Sequence, residues 1–173
     1  AQLFCLALLS YCLNPSAKGL SELNAVPEAV AQILKIEGAI SALAERYRYM
    51  DRCVVLARGF NYATAFELAL KLKETCYIAA EPYSSVDFLH GPIAIMEPGF
   101  PAILVAPKDK VNTGILQLLS KLRDRGAEIL AITDDKRIMR LATKIIELPV
   151  SVDSWLSPIT SIVAGQLLCL HLA

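Results

Sequence analysis

The chain has 173 residues, 55% of them hydrophobic and 20% charged. That length suits one domain with a substantial core, and the composition excludes a disordered chain. Lys plus Arg and Asp plus Glu number 17 each, which points to no nucleic-acid partner but leaves room for a local pocket that holds a small anion.

The apolar run from Leu3 to Leu13 predicts a helix over residues 2–13, ended by Asn14 and Pro15. It is too short to cross a membrane, which takes about 20 residues. It also lacks the charged leader and cleavage site of a signal peptide, so no membrane partner is expected. The opening residues already read as helix without an N-cap, and the last ones read as the middle of another. Both ends are therefore expected to be cuts from something longer. Residues 16–24 read as a polar connector. Pro27 suits the first turn of a second helix with Val30, Ile33 and Leu34 on its apolar face. Ile40, Leu43, Ala44 and Tyr47 give residues 38–49 helical spacing.

From residue 53 the period changes. Residues 53–57 form a short β-branched apolar run, read as a buried strand that ends at Arg58-Gly59 and opens a helix carrying Glu67. Residues 76–80, 101–106, 128–133 and 144–149 read as four more strands. Helices are expected over 114–125, closed by Gly126, over 137–142, and from Ser157-Pro158 onward. Strands apolar on both faces, alternating with helices, predict an α/β fold: a three-layer α/β/α sandwich around a five-stranded parallel sheet. Ligands in such sheets bind beyond the carboxyl ends of the strands, here residues 58–63, 81–90, 107–112 and 133–136.

Glu67, Lys71 and Glu74 recur at offsets of four and three, which places them on one helical face. Spacing alone favours an intrahelical ion-pair cluster worth a few tenths of a kcal/mol, roughly, per pair. The functional alternative is a general base, with desolvation raising the carboxyl pKa and Lys71 opposing that rise or neutralising an anion. His90 falls in a loop at the expected ligand edge, where Asp87 could orient its imidazole. His171 lies in an apolar helix and reads as structural. The Arg58-Gly59 turn could hold an anion at a helix N-terminus, although it has neither a dinucleotide fingerprint nor a P-loop. Ser84 and Ser85 could cap a helix or face a ligand. The five cysteines Cys5, Cys12, Cys53, Cys76 and Cys169 have no zinc-site spacing. They read as buried free thiols in a reducing, cytoplasmic setting, and no metal or other cofactor is called for.

Taken together, Arg58-Gly59, the run from Glu67 to Glu74, Glu81-Pro82-Tyr83 and His90-Gly91-Pro92 resemble the second sugar-isomerase (SIS) domain of the double-SIS family that includes glucosamine-6-phosphate synthase. The resemblance covers about residues 50–173, and residues 1–49 resemble the helical connector from a preceding SIS domain. It implies a hexose 6-phosphate substrate and ketose–aldose isomerisation coupled to amination or deamination at C2. It further implies that Glu74 is the base moving a proton between C1 and C2. By the same resemblance His90 assists ring opening in a neighbouring subunit of a homodimer, with Lys71 close by. There are departures. No Ser/Thr-rich phosphate loop is present, nor the family's near-terminal lysine, nor a glutaminase domain, and Asp87 stands where the synthase has Glu. The alternative reading is a non-catalytic phosphosugar-sensing or regulatory module. A third is a dimerisation half.

Overall fold

The computed structural model describes all 173 residues. Five strands form one wholly parallel sheet in the order β2-β1-β3-β4-β5. They are β1 (Arg52–Ala57), β2 (Ala79–Ser84), β3 (Pro101–Val105), β4 (Glu128–Thr133) and β5 (Lys144–Glu147). The helices are α1 (Gln2–Leu13), α2 (Ala17–Leu34), α3 (Glu37–Ala44), α4 (Asn61–Cys76), α5 (Asn112–Asp124), α6 (Lys136–Met139) and α7 (Ser157–Leu172). Alternate residues of each central strand point to opposite faces, so each face needs its own cover. Val55, Ala57, Ile103 and Ile132 join a core with α2, α3, α4 and α7, while Val54, Leu56, Leu104 and Ala131 join another with α5 and α6. This is the expected three-layer sandwich.

Besides shifts at the ends of α3, α5, α6 and β5, two boundaries differ from expectation for an identifiable reason. Residues 17–24 are helical because Ser16 caps α2, its Oγ accepting from Gly19 N at 3.0 Å. Pro27 consequently lies inside α2 rather than at its start. It is exposed there, and it leaves the carbonyl one turn earlier without a helical donor. The second discrepancy is at residues 76–78, which do not open a strand. Helix α4 runs through Cys76, and Tyr77 then turns the chain with a left-handed φ of 58°. Strand β2 begins at Ala79 and takes in Glu81, Pro82 and Ser84. An outer strand needs no continuous apolar run, so hydrophobicity located it three to four residues early.

The backbone N–H groups of Ala79 and Ser85 both point toward β1, donating to Asp51 O just before it at 2.9 Å and to Ala57 O at its end at 2.8 Å. By the two-residue repeat of a strand, Pro82 therefore faces away from the sheet. At the other end of the chain, α1 is apolar on all sides. It seats Ala7 against Leu23, Val26 and Leu156, while Leu6, Leu9 and Leu13 are 62%, 58% and 81% exposed. No helix is long and apolar enough to cross a membrane.

Candidate functional site

Helix α4 buries Thr64, Ala65, Leu68, Ala69 and Leu72 against the sheet and α7. Its buried start is pinned by Asn61, whose Nδ2 donates to Ser157 Oγ at 2.7 Å. That rotation turns Glu67, Lys71 and Glu74 outward, rather than into a mostly buried helix. Lys71 Nζ donates to Glu74 Oε2 at 2.7 Å and lies 3.9 Å from Glu67 Oε1. The Glu74 hydrogen bond, with its charge, holds the Lys71 ammonium above its ordinary pKa. The Glu74 side chain is 51% exposed, so the expected desolvation is not supplied by this chain alone.

The other sequence-predicted residues gather at the carboxyl edge. Gly59 adopts φ 61° as β1 turns into α4, a conformation that a side chain would strain. The Arg58 guanidinium reaches across the start of α5, where a Cβ on Gly114 would lie 2.2 Å from its Nη1. Ser84 Oγ accepts from Val86 N at 3.3 Å, which closes a local turn rather than capping a helix. Ser85 is buried and its hydroxyl has no partner. Asp87 and His90 begin and end one 3-10 turn, both exposed, with no hydrogen bond between them, so the expected orienting contact is not made. Phe88, between them, is fully buried and packs on Tyr83 with ring centroids 5.2 Å apart.

The two groups are on opposite ends of the sheet. Glu74 precedes the amino end of β2, and His90 follows its carboxyl end. The six residues of β2 place these ends about 17 Å apart. The fold thus brings together Glu67, Lys71 and Glu74, and separately Arg58, Gly59, Ser84, Ser85 and the His90 turn. It does not bring the sets to each other.

Three further features lie outside these two sets. His171, read there as structural, lies 3.3 Å from Glu37 and links α7 to α3. Cys5 and Cys12 are exposed on α1, contrary to the reading of all five thiols as buried, whereas burial pushes Cys53 and Cys169 up to about 12. The third is a polar anchor past the carboxyl ends of β3 and β4. Buried Asp135 accepts from Arg137 Nη2 at 2.7 Å, Arg137 Nε at 3.0 Å and Asn112 Nδ2 at 3.0 Å. Only an Asp after a strand end hinted at it.

The Arg137 hydrogen bond is the main cause that holds the Asp135 carboxyl down, from an ordinary 3.8 to about 2. Its folded pKa lies below the unfolded one, so the stabilisation is complete above about pH 4 and disappears as pH falls toward 2. The shift corresponds to roughly 2 kcal/mol. Asp135→Asn should cost about that much in urea unfolding at pH 7 and flatten the acid limb between pH 4 and 2, roughly the interval between the two pKa values. An unchanged acid limb would refute the assignment.

The geometry defines an open parallel α/β domain whose strand order reverses between β1 and β3, with ionisable clusters at both ends of the sheet. The SIS domain family matches residues 47–173. The glutamine–fructose-6-phosphate aminotransferase (isomerizing) of Thermococcus kodakarensis is 38% identical over 152 residues, covering 88% of this chain and 25% of that protein. The C-terminal domain of glucosamine-fructose-6-phosphate aminotransferase from Francisella tularensis superposes with a TM-score of 0.82 at 31% identity, over 90% of this chain and 44% of that one. Tagatose-6-phosphate ketose/aldose isomerase from Escherichia coli gives 0.71 at 25% identity, over 85% and 42%. The chain belongs to the SIS domain family and spans about a quarter of the length of the aminotransferases it matches.

Proposed function

We propose that this chain supplies the proton-transfer base of a sugar-phosphate isomerase whose active site is assembled from more than one folded unit. The substrate is a hexose 6-phosphate of the fructose 6-phosphate or glucosamine 6-phosphate type. Isomerisation is coupled to amination or deamination at C2. Glu74 takes a proton from one carbon of the C1–C2 pair and returns it to the other, through an enediol-like or enamine-like intermediate. One carboxylate within reach of both carbons suffices. Lys71, already beside Glu74, offsets the negative charge that develops on the substrate oxygen. Glu67 holds the far side of that lysine.

The observation that carries this reading is the separation of Glu74 from His90 by the whole length of β2. One chain cannot apply both groups to the same sugar. Glu74 serves one site and His90, with Asp87 on its turn, assists ring opening at another, in a neighbouring subunit of a homodimer. Arg58, Gly59, Ser84 and Ser85 line the edge that His90 occupies and bind substrate there. The grip on the phosphate at the Glu74 site comes from a preceding SIS domain, of the kind that a match to one quarter of the aminotransferases leaves room for.

The 173-residue chain by itself is therefore expected to show little or no isomerase activity. The check is interconversion of fructose 6-phosphate and glucose 6-phosphate by the purified chain, followed by coupled assay. Robust turnover would defeat the composite site.

A further inference from the structure

Tyr77 is the one non-glycine residue with a positive φ, 58°, and it is 90% exposed. It occupies the position just past α4 where the chain reverses, with its N–H and that of Ile78 both donating to Leu72 O. Glycine is the usual residue at such a helix end because a Cβ is strained in this conformation. This protein follows that rule elsewhere, since Gly126 closes α5 with φ 74°. At Tyr77 the chain accepts the strain and gains no contact of its own from the ring. Strain of this kind marks a place where the side chain is needed for something else.

The ring stands three residues beyond Glu74. It extends an exposed stripe of α4 formed by Phe66 and Leu70, 52% and 44% exposed, that runs beside the Glu67–Lys71–Glu74 stripe. Between this stripe and Pro82 of β2 lies a shallow groove of about 450 Å³. Two properties of the Glu74 end say what must cover it. Proton abstraction from carbon is favoured where water is excluded, and Glu74 is half open to solvent. A sugar phosphate needs several cationic or N–H donors, and the groove offers one exposed ammonium, Lys73, while Lys71 is already shared by two carboxylates. The cover is therefore a protein surface that carries its own phosphate site, and three-quarters of the length of the related aminotransferases lies outside the match.

We propose that Tyr77 is the positioning residue on which the phosphate-gripping domain of the same polypeptide seats, closing the site over Glu74. This rests on the reading of Glu74 as base. The experiment compares Tyr77→Gly, Tyr77→Phe and Glu74→Gln in the full-length polypeptide, with fructose 6-phosphate as substrate. Tyr77→Gly should raise the melting temperature of the 173-residue chain by about 3 °C, because it relieves the left-handed strain. The same change should lower kcat/KM at least tenfold, and Tyr77→Phe, which keeps the ring, should stay within about twofold of the parent. Opposite signs on stability and activity are what a merely structural residue would not produce. The proposal is overturned if Tyr77→Gly retains kcat/KM within twofold, if it fails to raise the melting temperature, or if Tyr77→Phe loses as much as Tyr77→Gly. Normal exchange of the C1 proton of fructose 6-phosphate by Glu74→Gln would instead remove the base assignment, whatever Tyr77 does.

Discussion

Glu74→Gln in the full-length polypeptide is expected to slow exchange of the ketose C1 proton with solvent by roughly 10³-fold in rate. The amide keeps the size and shape of the side chain but cannot accept a proton from carbon. Because the lost contact acts in the transition state, kcat and kcat/KM should fall together, with KM little changed. Stability should hardly move. Lys71 keeps Glu67 within 3.9 Å, and an exposed ion pair of this kind is worth about 0–1 kcal/mol. The measurement is loss of deuterium from fructose 6-phosphate labelled at C1, read alongside the urea midpoint. A normal exchange rate would remove Glu74 from the mechanism. A fallen midpoint would mean that the loss of activity reports unfolding.

The largest expected effect on stability is at Leu68→Ala. Leu68 is fully buried between α4, the sheet and α7. Helix α7 comes so close there that a Cβ on Gly165 would lie 3.0 Å from Leu68 Cδ1. Truncation leaves a cavity that two tightly apposed helices cannot readily collapse, and the cost should be about 3–4 kcal/mol. Urea unfolding should show a lower midpoint with an unchanged slope. Isomerisation by the full-length polypeptide should fall as well, because Leu68 sets the rotation of α4 that carries Lys71 and Glu74 outward. A loss under about 1 kcal/mol would show that the α4–α7 contact relaxes easily.

The central sheet was legible because its strands are covered on both faces and so read as apolar runs. β4 was found at its observed bounds, Glu128–Thr133. β2 was misplaced because an outer strand can carry Glu81, Pro82 and Ser84, which a hydrophobic pattern passes over. The start of α2 was missed because one cap, Ser16, outweighed the polarity of the residues after it. At the site, helical spacing was enough to put Glu67, Lys71 and Glu74 on one face, and the structure has all three there. Which way that face points was not legible, since rotation is decided by packing between residues far apart in sequence, such as Leu68 and Gly165. The separation of Glu74 from His90 was implicit in the alternation of elements: a helix between parallel strands ends at the edge where the next strand begins. Tyr77 gave no signal, because an aromatic residue is the last expected in a left-handed turn.

Pro82 faces outward from β2, where Ala80 and Ser84 carry the neighbouring outward amides. A strand laid along this edge would meet a missing donor at its centre, so the sheet stops at five strands and resists edge-to-edge association between copies. Any molecule that docks beside α4 must then read side chains such as Phe66 and Leu70 instead of backbone amides. Recognition on this flank is specific to sequence, not to main-chain pairing, and the wall next to Glu74 is closed to indiscriminate strand exchange.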